Sequence, residues 1–311
     1  MTTGEEARPR LWSERGWSPA RAAPLWAERP LRCPTGDALP VSVVLSPAQL
    51  CTLQVRPIRA PSAWGAAAPP GAPGEWDGPV LALRALRPPA ARGGPVVLDW
   101  APSGWLRASQ AHRRCPGPRG GRLAPLGAAW RVDDLGVIVL AVDPGGRLLV
   151  ARRASGLRLR GAAWTATASG AVDPSVDATG GVSGLEVGLR AGLRELYEEA
   201  GLRGPALRRI EPLGLVREWR RAGKPELVLR ARVGPQPGCR HRPSDEVSLM
   251  RAIPDEALRR DPGIGGQADL PLRVALALHW THPEVAGWAP ESRGTGPGGR
   301  ASLRAPASPS R

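Results

Sequence analysis

The stretch 180–202, GGVSGLEVGLRAGLRELYEEAGL, limits what this chain can be more than any other segment. Glu195, Glu198 and Glu199 stand at i, i+3 and i+4, so on a helix they share one face. Carboxylates packed that closely repel one another unless a cation sits among them. Clustered carboxylate oxygens suit a hard divalent ion, Mg²⁺ or Mn²⁺. The helix itself is legible. Leu185, Leu189, Leu193, Leu196 and Ala200 recur as an apolar stripe, the acids lie off that stripe, and Gly201 is a ready C-terminal stop. Taken without its surroundings, an E-x-x-E-E pattern also reads as a solvated face, with Arg190 and Arg194 pairing Glu186 and Glu198 at i,i+4.

With 311 residues and 42% hydrophobic content, the chain can bury one large core or two modest ones. Phe is absent, Trp occurs 12 times and Lys224 is the only lysine, a bias that looks like GC-rich coding. That bias weakens the usual meaning of a net charge of +15, which otherwise points to nucleic acid or an anionic surface. Arginine is scattered and no RNA- or DNA-binding motif is present, so nucleic acid is not expected as a partner. An arginine-rich nucleic-acid-binding protein stays as a third reading, open to a salt-dependent gel shift. Cys33, Cys51, Cys115 and Cys239 form no C-x-x-C pair, and His112, His241, His279 and His282 have no zinc spacing. The start, MTTGEEARPR, lacks a cationic run followed by an apolar one, and no stretch approaches the roughly 18 apolar residues of a membrane span. A reduced, cytoplasmic protein without a membrane segment is expected.

Residues 1–40 show no clear period. Strands are expected over 41–45, 50–58, 80–86 and 96–100, separated by breakers at 66–74, 88–94 and 115–121, which makes 41–132 an accessory β-rich region. The second half is more regular. Strands at 137–142 and 147–151 flank a hairpin turn at Asp143–Gly146, and a strand at 164–169 leads to Gly170. After the helix come strands at 213–218 and 226–233, joined at Gly223, then a strand at 248–253 and a helix at 271–280. The tail, 285–311, has a disordered composition.

Gly180, Glu186, Arg194, Glu195, Glu198, Glu199 and Gly201 fall at the spacing G-x5-E-x7-R-E-L-x-E-E-x-G-L, which resembles the Nudix box. The order of elements over 133–284 is similar to a Nudix hydrolase domain, an α/β fold with a mixed β-sheet sandwiched between helices. Ser244-Asp245-Glu246, followed by a strand and Pro254-Asp255-Glu256, adds to that likeness. Residues 76–79, 98–109 and 133–136 resemble the front half of the UDP-glucose pyrophosphatase branch. One departure stands out. Ser169-Gly170-Ala171-Val172-Asp173 is the better likeness of the glycine run that opens the box, yet fifteen residues separate Gly170 from Glu186 instead of five. Two registers are therefore open, one with about ten extra residues and a Gly180 that matches by coincidence.

The resemblance implies Glu195, Glu198 and Glu199 as ligands of Mg²⁺ or Mn²⁺, and an Arg194–Glu186 salt bridge that buttresses the helix. It implies Glu195 or Glu246 as general base. Arg152 and Arg153 are candidates for phosphate contact or plain surface charge. Trp130 or Trp164 offers a stacking platform for a base, Trp164 reading better as core. The substrate class is a nucleoside diphosphate linked to another moiety, with a UDP-sugar first to try, and many members of the family are homodimers. The competing reading is a Nudix-fold ligand-sensing or regulatory module without hydrolysis.

Overall fold

The computed structural model describes residues 10–13, 16–19, 29–33, 35–57, 78–87, 94–106, 134–156, 161–181, 184–203, 206–218, 221, 223–234 and 246–282. The expected loops at 66–74, 88–93 and 115–121, Trp130, Asp133, Cys115, Cys239, His112, His241, Ser244, Asp245 and the tail 285–311 lie outside the described residues.

The chain opens with a hairpin, β1 (Arg10–Ser13) and β2 (Gly16–Pro19), followed by β3 (Arg29–Arg32) and β4 (Ala38–Leu45). These first three strands fall within the 1–40 segment, where no period was evident. A short helix α1 (Pro47–Leu50) precedes β5 (Leu53–Pro57), β6 (Pro79–Arg87) and β7 (Val96–Gly104). The second half runs β8 (Gly136–Val142), β9 (Arg147–Arg153), β10 (Trp164–Thr165), β11 (Ala168–Ala171), α2 (Pro174–Asp177), α3 (Leu185–Ala200), β12 (Leu207–Glu218), β13 (Lys224–Val233), β14 (Val247–Pro254), α4 (Asp255–Arg260) and α5 (Leu270–Thr281).

A nine-stranded mixed sheet carries the molecule, in the order β10-β9-β8-β13-β12-β4-β3, with β11 on β8 and β14 on β9. The β8–β13 pair is parallel. Both strands are buried on both faces, as central positions in a covered sheet require; β8 is an apolar run, whereas β13 also buries Lys224, Glu226 and Arg230. Val137, Val139, Leu227 and Leu229 face α3, while Ile138, Leu140 and Val228 face α5. The sheet is therefore a mixed α/β layer with one long helix on each side. A second, three-stranded sheet, β5-β7-β6, shares the α3-side core through Leu81, Leu83, Val96 and Leu98. Among the described residues no helix is long and apolar enough to cross a membrane.

Local chemistry sets the connections. Asp143 Oδ1 accepts hydrogen bonds from the Gly145 and Arg147 backbone N–H groups at 2.8 and 2.9 Å, closing the β8–β9 turn. Asp269 caps α5, its Oδ1 accepting the Leu272 N–H at 3.1 Å with Pro271 in the first turn.

Two charged groups of residues are buried on the α5 side. Arg230 donates from Nε to Glu211 Oε1 at 2.7 Å and from Nη1 to His279 Nδ1 at 3.1 Å. Burial, then the Arg230 charge, lowers the His279 pKa to about 4, so the ring is neutral and Nδ1 is the acceptor. Nearby, Asp255 ties α4 to α5, accepting Trp280 Nε1–H and Arg259 Nε–H, each at 2.7 Å. At the sheet end, Lys224 Nζ lies 2.5 Å from Glu226 Oε1 and 3.8 Å from Asp134, while Arg221 reaches Glu226 at 3.1 Å and Glu218 at 3.7 Å. Gly136 makes room for that group, since a Cβ there would strike Glu226 and Lys224.

Candidate active site

α3 lies almost flush on the sheet. Gly188 and Gly192 stand over Leu227 and Leu229, and a Cβ on either would collide with those leucines. This close approach turns the helix. The stripe expected from the leucines is only partly its buried face; Val187, Gly188, Ala191, Gly192, Glu195, Leu196, Glu199 and Ala200 are buried, so Leu196 and Ala200 are where the stripe puts them, while Leu185, Leu189 and Leu193 are only partly covered. Two of the three acids thus sit on the sheet side, roughly a quarter turn from the expected orientation. The helix end follows expectation. Gly201 is left-handed at φ +67°, with Gly201 N–H bonded to Tyr197 O and Leu202 N–H to Leu196 O, both at 3.0 Å.

Arg194 organises the site. Its Nη1 donates to Glu195 Oε1 at 2.7 Å and Glu198 Oε2 at 3.0 Å. Its Nη2 donates to the Ala171 carbonyl at 2.8 Å and Asp177 Oδ2 at 3.1 Å, and Nε reaches Asp177 Oδ1 at 3.3 Å. The expected Arg194–Glu186 bridge does not form. α3 begins at Leu185, so both residues ride on one helix, and eight residues of helix place them ~12 Å apart along its axis. Glu186 instead pairs Arg190 at 3.0 Å. The i,i+4 pairs of the solvated-face reading, Arg190–Glu186 and Arg194–Glu198, are both present, but Arg194 is anchored beyond them.

Asp177 is the residue that sequence reasoning missed. It is buried at the end of α2, where Asp173 caps the helix by accepting the Ser175 N–H at 2.8 Å. Burial raises its pKa, and the hydrogen bonds and charge of Arg194 oppose the rise. The available signal was the resemblance of 169–173 to a glycine run, followed by a second acid that the spacing to Glu186 overlooks. Glycine placement agrees with that register. A Cβ on Gly170 would collide with the Glu195 carboxylate, whereas Gly180 is exposed at φ +73° with nothing within 4 Å.

Glu195 and Glu199 are the electrostatic centre. Burial, with Glu198 and Glu246 adding to it and Arg194 opposing, raises Glu195 to about 7. Burial first, then the charges of Glu195 and Glu246, pushes Glu199 well above the usual carboxylate range, although Glu199 Oε2 accepts the Ser169 N–H at 3.0 Å. Glu246 is exposed, with Arg153 Nη2 3.6 Å from its Oε2. The fold thus brings Glu195, Glu199, Glu246 and Arg153 to one place. Glu198 stays at the rim, more than half exposed and turned to Arg194. Among the described residues no three His, Cys, Asp or Glu side chains are gathered closely enough to hold a metal ion. Arg152 points away from this place; its Nε donates to the Ala162 carbonyl at 3.3 Å and its guanidinium stands 5.9 Å from the ring centroid of Trp164. Trp164 is core, as expected, with Arg251 also over it at 5.4 Å.

No family model matches this chain, and comparison with curated proteins finds no match. Solved structures similar to it include the MutT protein from Methanosarcina mazei Go1, at 19% identity and a TM-score of 0.34 over 49% of this chain and 94% of that one. The Nudix domain of Shewanella oneidensis NrtR, complexed with ADP ribose, aligns at 19% identity and 0.35 over 49% and 90%. A C. elegans Ap4A hydrolase binary complex aligns at 19% and 0.32 over 50% and 98%.

Proposed function

We propose that this chain is a Nudix pyrophosphohydrolase that needs a divalent metal and cleaves the diphosphate linkage of a nucleoside diphosphate derivative. One observation carries the reading. Glu195 and Glu199 are buried side by side, raised together, with Glu246 adding to the same negative field. Burying like charges without a partner is costly, and a cation removes that cost. The paired carboxylates of Glu195 and Glu199 have the donor chemistry for Mg²⁺ or Mn²⁺, and Glu198 would complete the set by turning in from Arg194. When bound, the metal would neutralise phosphate oxygens and acidify the attacking water.

The protein's own groups supply the rest. Arg153, beside Glu246 and acting on Glu199, would take a phosphate oxygen. Arg194 fixes Glu195 between Ala171 and Asp177. Glu246 or Glu195 accepts the proton of the attacking water. The new P–O bond forms as the bridging P–O bond breaks, and the leaving phosphate keeps the electron pair. A UDP-sugar heads the list of substrates because 76–79, 98–109 and 133–136 resemble the UDP-glucose pyrophosphatase branch. The products would be UMP and a sugar 1-phosphate.

The second reading, a ligand-sensing module, has one observation on its side, namely that Glu198 is more than half exposed and held by Arg194. A hydrolysis screen with Mg²⁺ over UDP-sugars, ADP-ribose, dinucleotides and nucleoside triphosphates separates the two. Turnover that stops in EDTA and returns with Mg²⁺ supports the enzyme. Binding without turnover of any of them supports the sensor.

A further inference from the structure

We propose that the small sheet β5-β7-β6 is a positioning element of the acidic helix α3, holding it at both its start and its arginine anchor; this rests on the hydrolase reading above. At the start, Gly184 caps α3 at φ +70° and ψ −144°, and a Cβ there would strike the Leu53 carbonyl oxygen. The helix therefore begins against the backbone of β5, with no room for a side chain between them. At the anchor, three backbone hydrogen bonds close a ring. Leu81 N–H donates to Val172 O at 2.8 Å, Val172 N–H to Leu135 O at 2.9 Å, and Leu135 N–H to Leu81 O at 2.8 Å. β6 is thereby tied to the residue that follows β11.

Val172 has neighbours that matter. Ala171 supplies the carbonyl that Arg194 grips, and Asp173 caps the short helix that ends in Asp177, the other grip. Both acceptors of Arg194 outside its own helix hang on a backbone fixed by β6. Behind this ring, Leu81, Leu83, Val96 and Leu98 pack in one apolar cluster with Val187, Ala191 and Leu196 of α3. The connection 172–184 is long, since it carries α2 and a further 3₁₀ turn, so by itself it would fix the helix poorly. The small sheet supplies the constraint from outside. Reaction rates respond steeply to such placement, because a displacement of about 1 Å can cost on the order of 10²-fold.

The test compares cavities on the two sides of the large sheet. Leu81→Ala opens the small-sheet side, and Leu213→Ala opens the α5-side cluster, which has no member from α3 or the small sheet. Both should lower the melting temperature. At a temperature where each variant is folded, Leu81→Ala and Gly184→Ala should lower kcat about tenfold with KM within about twofold, and raise the Mg²⁺ concentration for half activity. Leu213→Ala should leave all three unchanged. Should Leu81→Ala not fold, Leu81→Val carries the same comparison. A second readout needs no turnover. Amide hydrogen exchange over 185–200 should accelerate in Leu81→Ala and not in Leu213→Ala. An inert parent would sink the hydrolase reading while exchange still decides the coupling. Equal effects of Leu81→Ala and Leu213→Ala on kcat, or on exchange where no activity exists, overturn the proposal.

Discussion

Charge is buried on both faces of the large sheet, and it is handled in opposite ways. On the α5 face Glu211 sits opposite Arg230, His279 is kept neutral beside that arginine, and Asp255 is shared by Arg259 and Trp280. Signs cancel locally. On the α3 face Glu195 and Glu199 press together, with Glu246 reinforcing them, and Arg194 spreads its hydrogen bonds over four acceptors. One sign is left in excess. A cancelled network locks helices to a sheet, whereas an excess sign is tolerated where an external ion completes the balance.

The sharpest break of this comparison is Glu199→Gln. On the hydrolase reading, activity should fall about 10³-fold while the variant stays folded, because one of the proposed charged metal ligands is lost. Steady-state kinetics with circular dichroism checks it, and activity within threefold of the parent would remove Glu199 from the site.

Arg230→Met attacks the other face. It leaves Glu211 buried without its main partner, and should cost about 3 kcal/mol in urea unfolding while kcat/KM stays within about twofold. If activity falls with stability, the two faces are not separable.

Titration sharpens the contrast, since the faces respond to opposite ends of the pH range. The folded pKa of Glu195 lies above its unfolded value, so its charge costs nothing below about pH 4.5 and its full amount above about 7. In EDTA, Glu195→Gln should therefore be more stable than the parent at pH 8, by on the order of 3 kcal/mol, with the difference vanishing toward pH 4. The folded pKa of His279 lies below its unfolded value. Its contribution is intact above about pH 6.5 and lost as pH falls toward about 4. Unfolding curves across pH should show the parent weakening at both ends for these two separate reasons. A parent with flat stability from pH 4 to 8 contradicts both.

The smallest effect concerns the arginine anchor. Asp177→Asn should lower kcat about 30-fold, and Glu186→Gln should leave it within about twofold. The reverse order would restore the anchor that counting residues implies.

That last pair marks where legibility ended. The helix and its glycine stop, the β8–β9 hairpin and the final helix follow from local pattern and turn chemistry, and the structure has them close to where they were expected. The orientation of α3 does not follow, because leucines advertise a buried face and glycines do not. Gly188 and Gly192 settle it by allowing the sheet to come close, a tertiary fact. Asp177 was hidden for a related reason: its link to Arg194 crosses seventeen residues and a separate short helix, so no fixed spacing exposes it. Arg230 was hidden by β13 itself, where KPELVLRARV alternates like a half-exposed strand although nearly every position is buried. Burial of its charges depends on β12, β8 and α5 arriving from elsewhere in the chain.

Lys224 gives the protein an unusual chemical silence. It carries the sole side-chain amine in the sequence, and that amine is shut away against Glu226. An acylating reagent meets no lysine on the native surface. Acylation at this position requires Lys224 to leave Glu226 and Asp134, and when reclosing outruns the reagent its rate tracks how often this end of the sheet is open. Once acylated, the nitrogen is neutral and bulkier, and cannot be reseated beside Glu226 and Asp134. A mass shift on the peptide containing residue 224 therefore works as a one-way counter of opening at this end of the sheet, intrinsic to the chain and requiring no introduced label.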